Sequence, residues 1–213
     1  MKPGMLATGL GVGQGPSAPA PNYATMDDAQ VMLLAGEGDD AAFSYLAEKY
    51  RRPIMAFMYR MCGNQAVAEE LAQEVFLRVY RSRKSYAAEA KFTTWLYRIA
   101  TNLAVNHARD SRGEKQANAV SLDEPDEETG STLEVADTMM TAEEALLKQE
   151  RMAAIKKHVM ALPERQRMAV LMHKYQGMDY RQIGAVLKLS ESATKSLLFR
   201  AYEQLRERLK EFV

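Results

Sequence analysis

One cysteine, one tryptophan and three histidines are spread over 213 residues, and these scarcities remove several classes of protein at once. Cys62 has no second cysteine in the chain to pair with, which excludes a disulfide-stapled secreted scaffold. His107, His158 and His173 lie far apart, in no zinc-finger spacing and in no evident acid/base constellation. No apolar run approaches the about 18 residues that a membrane span needs. Strand-like alternation, a glycine-rich phosphate loop and an Asp-x-Asp metal motif are all missing. Nothing here calls for a cofactor, and no residue reads as catalytic. Cys62, in an apolar helix end, reads as a packing residue, His107 as helix packing, and His173 as a surface or capping residue.

Net charge is absent too, with 28 basic and 28 acidic residues, but the balance hides a sorting along the chain. Residues 27–77 sum to −5, 78–109 to +6, 110–144 to −9 and 145–213 to +7. Two basic blocks therefore flank one acidic stretch. Basic blocks suit polyanion partners, because each phosphate contact releases condensed counterions.

What is present is helical periodicity. Residues 1–25 hold five Gly and four Pro with no periodicity and read as a disordered tail. Met26, just before the first helix signal, is a candidate start. Val31, Leu34 and Ala35 recur at helix spacing, and Phe43, Leu46, Tyr50, Ile54, Phe57, Met58 and Met61 continue the pattern. Pro53 within this run predicts a kink or a restart, and Gly63-Asn64 a stop. Further helices are predicted over 65–83 and 93–109. Residues 110–144 lack periodicity and read as a long acidic linker. Helices resume over 145–161, 164–175, 180–187 and 191–212, with Pro163 at a first helical position, Gly177 as a stop, and Asp179 and Ser190 as N-caps. The fold class is all-α: two small helical domains, 26–109 and 145–213, joined by the acidic linker 110–144.

Helices 180–187 and 191–212, joined by Lys188-Leu189-Ser190, have helix-turn-helix spacing. On the second, Thr194, Leu198, Ala201 and Leu205 face inward. Ser192, Lys195, Ser196, Phe199 and Arg200 lie opposite, a mixture of polar and apolar side chains suited to base edges and thymine methyls. On the helix over 93–109, Leu96, Ile99, Ala100 and Leu103 form an inner stripe. Trp95, Arg98, Asn102, Asn106 and Arg109 form a second stripe roughly 115° away. Trp and Arg can stack on bases, Asn can bond base edges and Arg can reach phosphates, while Tyr86, Lys91 and Phe92 lie just upstream. On the helix over 65–83, acids sit beside Phe76 and Leu77, a mixed patch fit for a protein partner.

Three segments together resemble the extracytoplasmic-function (ECF) sigma factors, the smallest bacterial RNA polymerase sigma subunits. They are AEELAQEVFLRVYR (68–81), KFTTWLYRIATNLAVNHAR (91–109) and the stretch from Leu162 to Leu209. The resemblance implies a cytoplasmic transcription initiation factor, monomeric when free, that carries no nucleotidyl-transfer chemistry of its own. Glu70, Gln73, Glu74, Phe76 and Leu77 would bind the clamp of core polymerase, and the C-terminal domain would meet the flap. Tyr86, Lys91, Phe92, Trp95, Arg98, Asn102, Asn106 and Arg109 would read and melt the −10 element as single-stranded DNA. Arg181, Ser192, Lys195, Ser196, Phe199 and Arg200 would read the −35 duplex. The acidic linker would thread the polymerase channel, and an anti-sigma protein would hold the factor inactive. Some positions depart from the family pattern. Ser192-Ala193-Thr194 replaces Gly-Thr-Val, leaving a hydroxyl on the inner stripe. Leu197 and Tyr202 stand where arginine is common, and Ala87-Ala88 where Arg-Gly is frequent, which predicts a weaker −35 contact and an altered −10 preference. The competing reading is a helix-turn-helix regulator that dimerises through its N-terminal helices.

Overall fold

Helix signals in the sequence become eight α-helices in the computed structural model, which describes residues 21–117 and 141–212. The helices are α1 (Asp28–Glu37), α2 (Asp40–Cys62), α3 (Gln65–Ser82), α4 (Phe92–Ala117), α5 (Ala142–Met160), α6 (Glu164–Gln176), α7 (Tyr180–Leu187) and α8 (Glu191–Arg208). No strand occurs among the described residues. Most of the expected tail and the centre of the expected acidic linker lie outside those residues.

Local chemistry explains the boundaries. Asp27 and Gln30, Thr141 and Glu144, and Asp179 and Gln182 form capping boxes at the starts of α1, α5 and α7. Asn64 caps α3 and Ser190 caps α8. Gly38, Gly63 and Gly177 end their helices in the left-handed conformation. Pro163 stands at the N-cap of α6, one position before its expected place. Pro53 does not restart a helix: α2 runs through it, with Ile54, Phe57 and Met58 buried just beyond. The last helix is shorter than its periodicity predicts, ending at Arg208 with a 3-10 turn over Lys210–Phe212.

The stretch read as a tail is structured at its end. Tyr23–Thr25 form a 3-10 turn, the Tyr23 ring lies 5.7 Å from that of Tyr45, and its hydroxyl donates to Asp39 Oδ2 at 2.7 Å. Asp39 also caps α2 through two backbone N–H groups, and the Tyr23 hydroxyl first, then these amides, hold its carboxyl below the usual carboxylate range.

Helices α1–α4 pack around Met32, Leu46, Ile54, Phe57, Met58, Val75, Leu96 and Tyr97. Each such side chain contributes about 1.5–3 kcal/mol by leaving water. Phe57 and Tyr97 meet edge to face at 5.2 Å. Tyr97 is among the largest buried side chains, although the predicted inner stripe of its helix does not contain it. Helices α6–α8 pack around Leu171, Met172, Ile183 and Leu198. The two groups touch: α4 packs along α7, and α2 against α5 and α6.

Gly36, in the last turn of α1, lets the chain after α3 approach closely: a Cβ there would sit 2.9 Å from the Arg83 carbonyl oxygen, which is backbone. Gly36→Ala is expected to cost about 1–3 kcal/mol through this overlap. Urea unfolding of the full chain checks it, as a lower midpoint at unchanged slope.

Candidate nucleic-acid interface

α4 begins where Lys91 turns its carbonyl to the amides of Thr94 and Trp95, at 2.9 and 3.4 Å. Its first residue, Phe92, is 2% exposed and lies 5.3 Å from the Tyr50 ring. Tyr86 is also buried, 5.1 Å from Trp95 and 6.2 Å from Phe92, with its hydroxyl donating to the Ala90 carbonyl. This corrects the sequence reading. Tyr86 and Phe92 offer no open face for a base; they form the floor that fixes the 86–91 loop and seats the half-buried Trp95. An aromatic in a loop is drawn inward when the helices beneath it leave an apolar hole. Burial pushes the Tyr86 phenol up.

The remainder of the stripe does face outward. Asn102, Asn106 and Arg109 are exposed, as is Lys91 at the mouth of the loop. Arg109 lies 3.5 Å from Asp110. Arg98 is exposed yet occupied: its Nη2 donates to the Ala185 carbonyl on α7 at 3.0 Å. The helix outlasts its expected end, reaching Ala117. His107 and Ser111, one turn apart, stand 3.3 Å from each other.

On α3, Glu70, Gln73, Glu74 and Leu77 recur at i, i+3, i+4 and i+7 and share a face. Leu77 is 49% exposed, and Glu74 is held by Arg78 at 2.7 Å. Phe76 differs: it packs against the core and is half-buried.

In the helix-turn-helix, Lys188 takes the left-handed conformation and Ser190 caps α8. Ser192, Lys195, Ser196, Phe199 and Arg200 are all exposed on one side of α8, and Arg181 is exposed on α7. Phe199 is 66% exposed, costly for a phenylalanine without a partner. The inward hydroxyl of Thr194 finds its acceptor in the Ser190 carbonyl at 2.9 Å. Gly184 makes room for it: a Cβ there would stand 2.8 Å from the Leu189 carbonyl and 3.0 Å from Thr194 Oγ1. Glycine in α7 and threonine in α8 thus fit as a pair.

Two positions that depart from the family pattern turn inward. Leu197 packs on the core. Tyr202 Oη lies 2.8 Å from His173 Nδ1, and the His173 ring stacks on Tyr180 at 5.6 Å and 14°. His173 is thus a strut joining α6, α7 and α8 rather than a surface or capping residue. Sequence spacing could not show this, because its partners lie 7 and 29 positions away. Cys62 is half-buried, its thiol donates to the Asn64 carbonyl at 3.4 Å, and burial pushes its pKa up, away from the reactive thiolate.

Gly184→Ala is expected to cost about 1–3 kcal/mol, because a backbone carbonyl must move. Tyr202→Phe is expected to lose about 1 kcal/mol, the net value of one hydrogen bond. Thermal unfolding of both full-length variants checks the order of the two effects.

Comparison with known proteins fits this geometry. Residues 46–114 match Sigma-70 region 2, and residues 152–205 match Sigma-70, region 4. The chain is 32% identical to the ECF RNA polymerase sigma factor SigW of Bacillus subtilis, over 82% of this chain and 92% of that one. It is 30% identical to the RNA polymerase sigma-H factor of Pseudomonas aeruginosa, over 84% and 91%. Among solved structures it is similar in fold to CnrH in complex with the cytosolic domain of CnrY, with TM-score 0.61, 20% identity and coverage of 86% and 97%. It is likewise similar to RpoE in complex with the anti-sigma factor NepR from Bartonella quintana, with TM-score 0.62, 20% identity and coverage of 79% and 96%. Two sigma regions in order within one chain, and a relative this close over nearly its whole length, make the chain a member of the ECF RNA polymerase sigma factors.

Proposed function

We propose that the chain divides the work of a bacterial sigma factor among three surfaces, with core RNA polymerase supplying all of the catalysis in the cytoplasm. The outer face of α3, Glu70, Gln73, Leu77 and the partly buried Glu74, docks on the polymerase clamp, and Phe76 braces that face from beneath. Trp95, Asn102, Asn106 and Arg109, with Lys91 at the loop mouth, receive the non-template strand of the −10 element. Tyr86 and Phe92 act through Trp95 and the loop rather than on DNA directly. The Arg181, Ser192, Lys195, Ser196, Phe199 and Arg200 surface reads the −35 duplex in the major groove. The domain limits proposed here are 26–109 and 145–213, with the acidic stretch between them spanning the polymerase channel, and an anti-sigma protein is the proposed source of control.

One observation carries the reading. The same chain presents two surfaces of different chemistry: exposed amides beside a half-buried indole on α4, and exposed cations with an open phenylalanine on α8. Unstacked bases need stacking and edge contacts, whereas a duplex major groove takes a helix with mixed side chains. Capture of an extruded base offsets its unstacking, a few kcal/mol, which is how promoter opening proceeds without a catalytic group in this chain.

Run-off transcription with core polymerase on genomic promoter fragments tests the function. Discrete transcripts that require the chain are expected; duplex binding as a dimer without transcripts would overturn it. Asn102→Ala is expected to lower open-complex formation about 5- to 150-fold, the equivalent of about 1–3 kcal/mol for one base contact, while −35 duplex binding is unchanged. Lys195→Ala should have the opposite split, and should reduce the salt slope of −35 binding by about one if Lys195 neutralises one phosphate.

A further inference from the structure

We propose that a carboxylate–phenol bond between α1 and α2, Asp28 to Tyr50, positions the indole of Trp95 for the −10 strand. Asp28 and Tyr50 are then positioning residues of a surface to which neither belongs. What Trp95 receives rests on the sigma-factor reading; the lock itself is made within the free chain.

The loop ahead of α4 cannot place itself. Residues 87–91 are all exposed, and three of them, Ala87, Ala88 and Ala90, have no side chain long enough to anchor it. Its own bonds are short-range: Tyr86 Oη donates to the Ala90 carbonyl at 3.3 Å, and the Glu89 amide donates to the Ala87 carbonyl at 2.7 Å. Its position therefore comes from the rings beneath it. Trp95 lies 5.1 Å from Tyr86 and 6.2 Å from Phe92, and Phe92 in turn meets Tyr50 at 5.3 Å and 61°. Trp95 is thus one end of a line of rings whose other end is Tyr50 on α2.

Ring contact alone leaves such a line free to slide, because tilted aromatic pairs hold over centroid separations of about 4.5–7 Å. At the Tyr50 end the slide is stopped. Tyr50 Oη donates to Asp28 Oδ2 at 2.5 Å, and Lys49 Nζ donates to Asp28 Oδ1 at 2.6 Å. Bonds to an ionised acceptor are shorter and about twice as strong as neutral ones. Asp28 is the first residue of α1, where the helix end also favours a negative charge, and its side chain is only 18% exposed. Burial first, and then the bond to Asp28, push the Tyr50 phenol well up, so it keeps the proton it donates. The Lys49–Asp28 pair by itself would be an ordinary surface ion pair of small worth. The phenol is what connects it to the start of α4, by way of Phe92.

Trp95 is the single tryptophan of the chain, so indole fluorescence reports on this position alone. Tyr50→Phe keeps the ring and removes the hydroxyl; Asp28→Ala removes the acceptor. In the full chain without polymerase or DNA, each variant is expected to move Trp95 emission to longer wavelength and to increase its quenching by acrylamide, at unchanged helical content by circular dichroism. The double variant is expected to go no further than the larger single effect, because both substitutions remove one bond. With core polymerase, open-complex formation on a promoter recovered by run-off transcription is expected to fall about 2- to 10-fold, the ratio that corresponds to one net hydrogen bond. Binding of the −35 duplex by the full chain is expected to be unchanged. Wild-type emission and quenching in Tyr50→Phe, additive single effects, or an open-complex yield that stays at the wild-type level or falls only in step with −35 binding would each overturn the proposal. The fluorescence measurement contains neither polymerase nor DNA. A failed run-off assay with the unmodified chain would therefore sink the sigma reading and leave the lock standing, whereas unmoved fluorescence would sink the lock and leave the sigma reading standing.

Discussion

Burial of Leu96, Tyr97, Ala100 and Leu103 against α2 and α3 is the constraint on which the rest of the molecule depends. A helix can display Asn102, Asn106 and Arg109 in a fixed row only if its other side cannot rotate. Tyr97 locks that side, wedged edge to face against Phe57. The aromatic floor of Tyr50, Tyr86 and Phe92 then sets where α4 begins and where the preceding loop stands. Tyr86 and Phe92, expected on the side that faces a partner, are instead buried beneath the exposed row.

The C-terminal group solves the same problem with different materials. Its recognition helix is held by Leu198, Ala201 and Leu205 on the apolar side, and by the His173–Tyr202 bond near its edge. Histidine and tyrosine here spend their polar atoms on each other. The helix-turn-helix is positioned by packing across α6, α7 and α8, and its exposed face is left to Ser192, Lys195, Ser196, Phe199 and Arg200. The pairing of Gly184 with Thr194 follows the same logic, since a missing Cβ on one helix accommodates a hydroxyl on the next.

Between the two groups the chemistry changes. Where each interior is aliphatic and aromatic, the seam also carries Arg98 on a carbonyl, Lys156 on a phenol and Arg60 on a ring.

Much of this was legible in the sequence. Helix positions, the caps at Asp179 and Ser190, the stop at Gly177 and the two faces of α8 are local properties, set by residues within about one turn of each other. The sigma family was legible for the same reason, because its motifs are continuous stretches of helix. Other features required the tertiary structure. Whether Tyr86 and Phe92 face a base or the core depends on Tyr50 and Trp95 beneath them. The partner of Arg98 lies 87 residues away, and that of His173 lies 29 away. Periodicity reports which side of a helix is apolar; it carries no information on which distant carbonyl, ring or hydroxyl will stand opposite a given side chain. The sequence by itself therefore determined the elements and their amphipathic faces. Only the packing of one helix on another decided which polar residues remain exposed and which are already engaged.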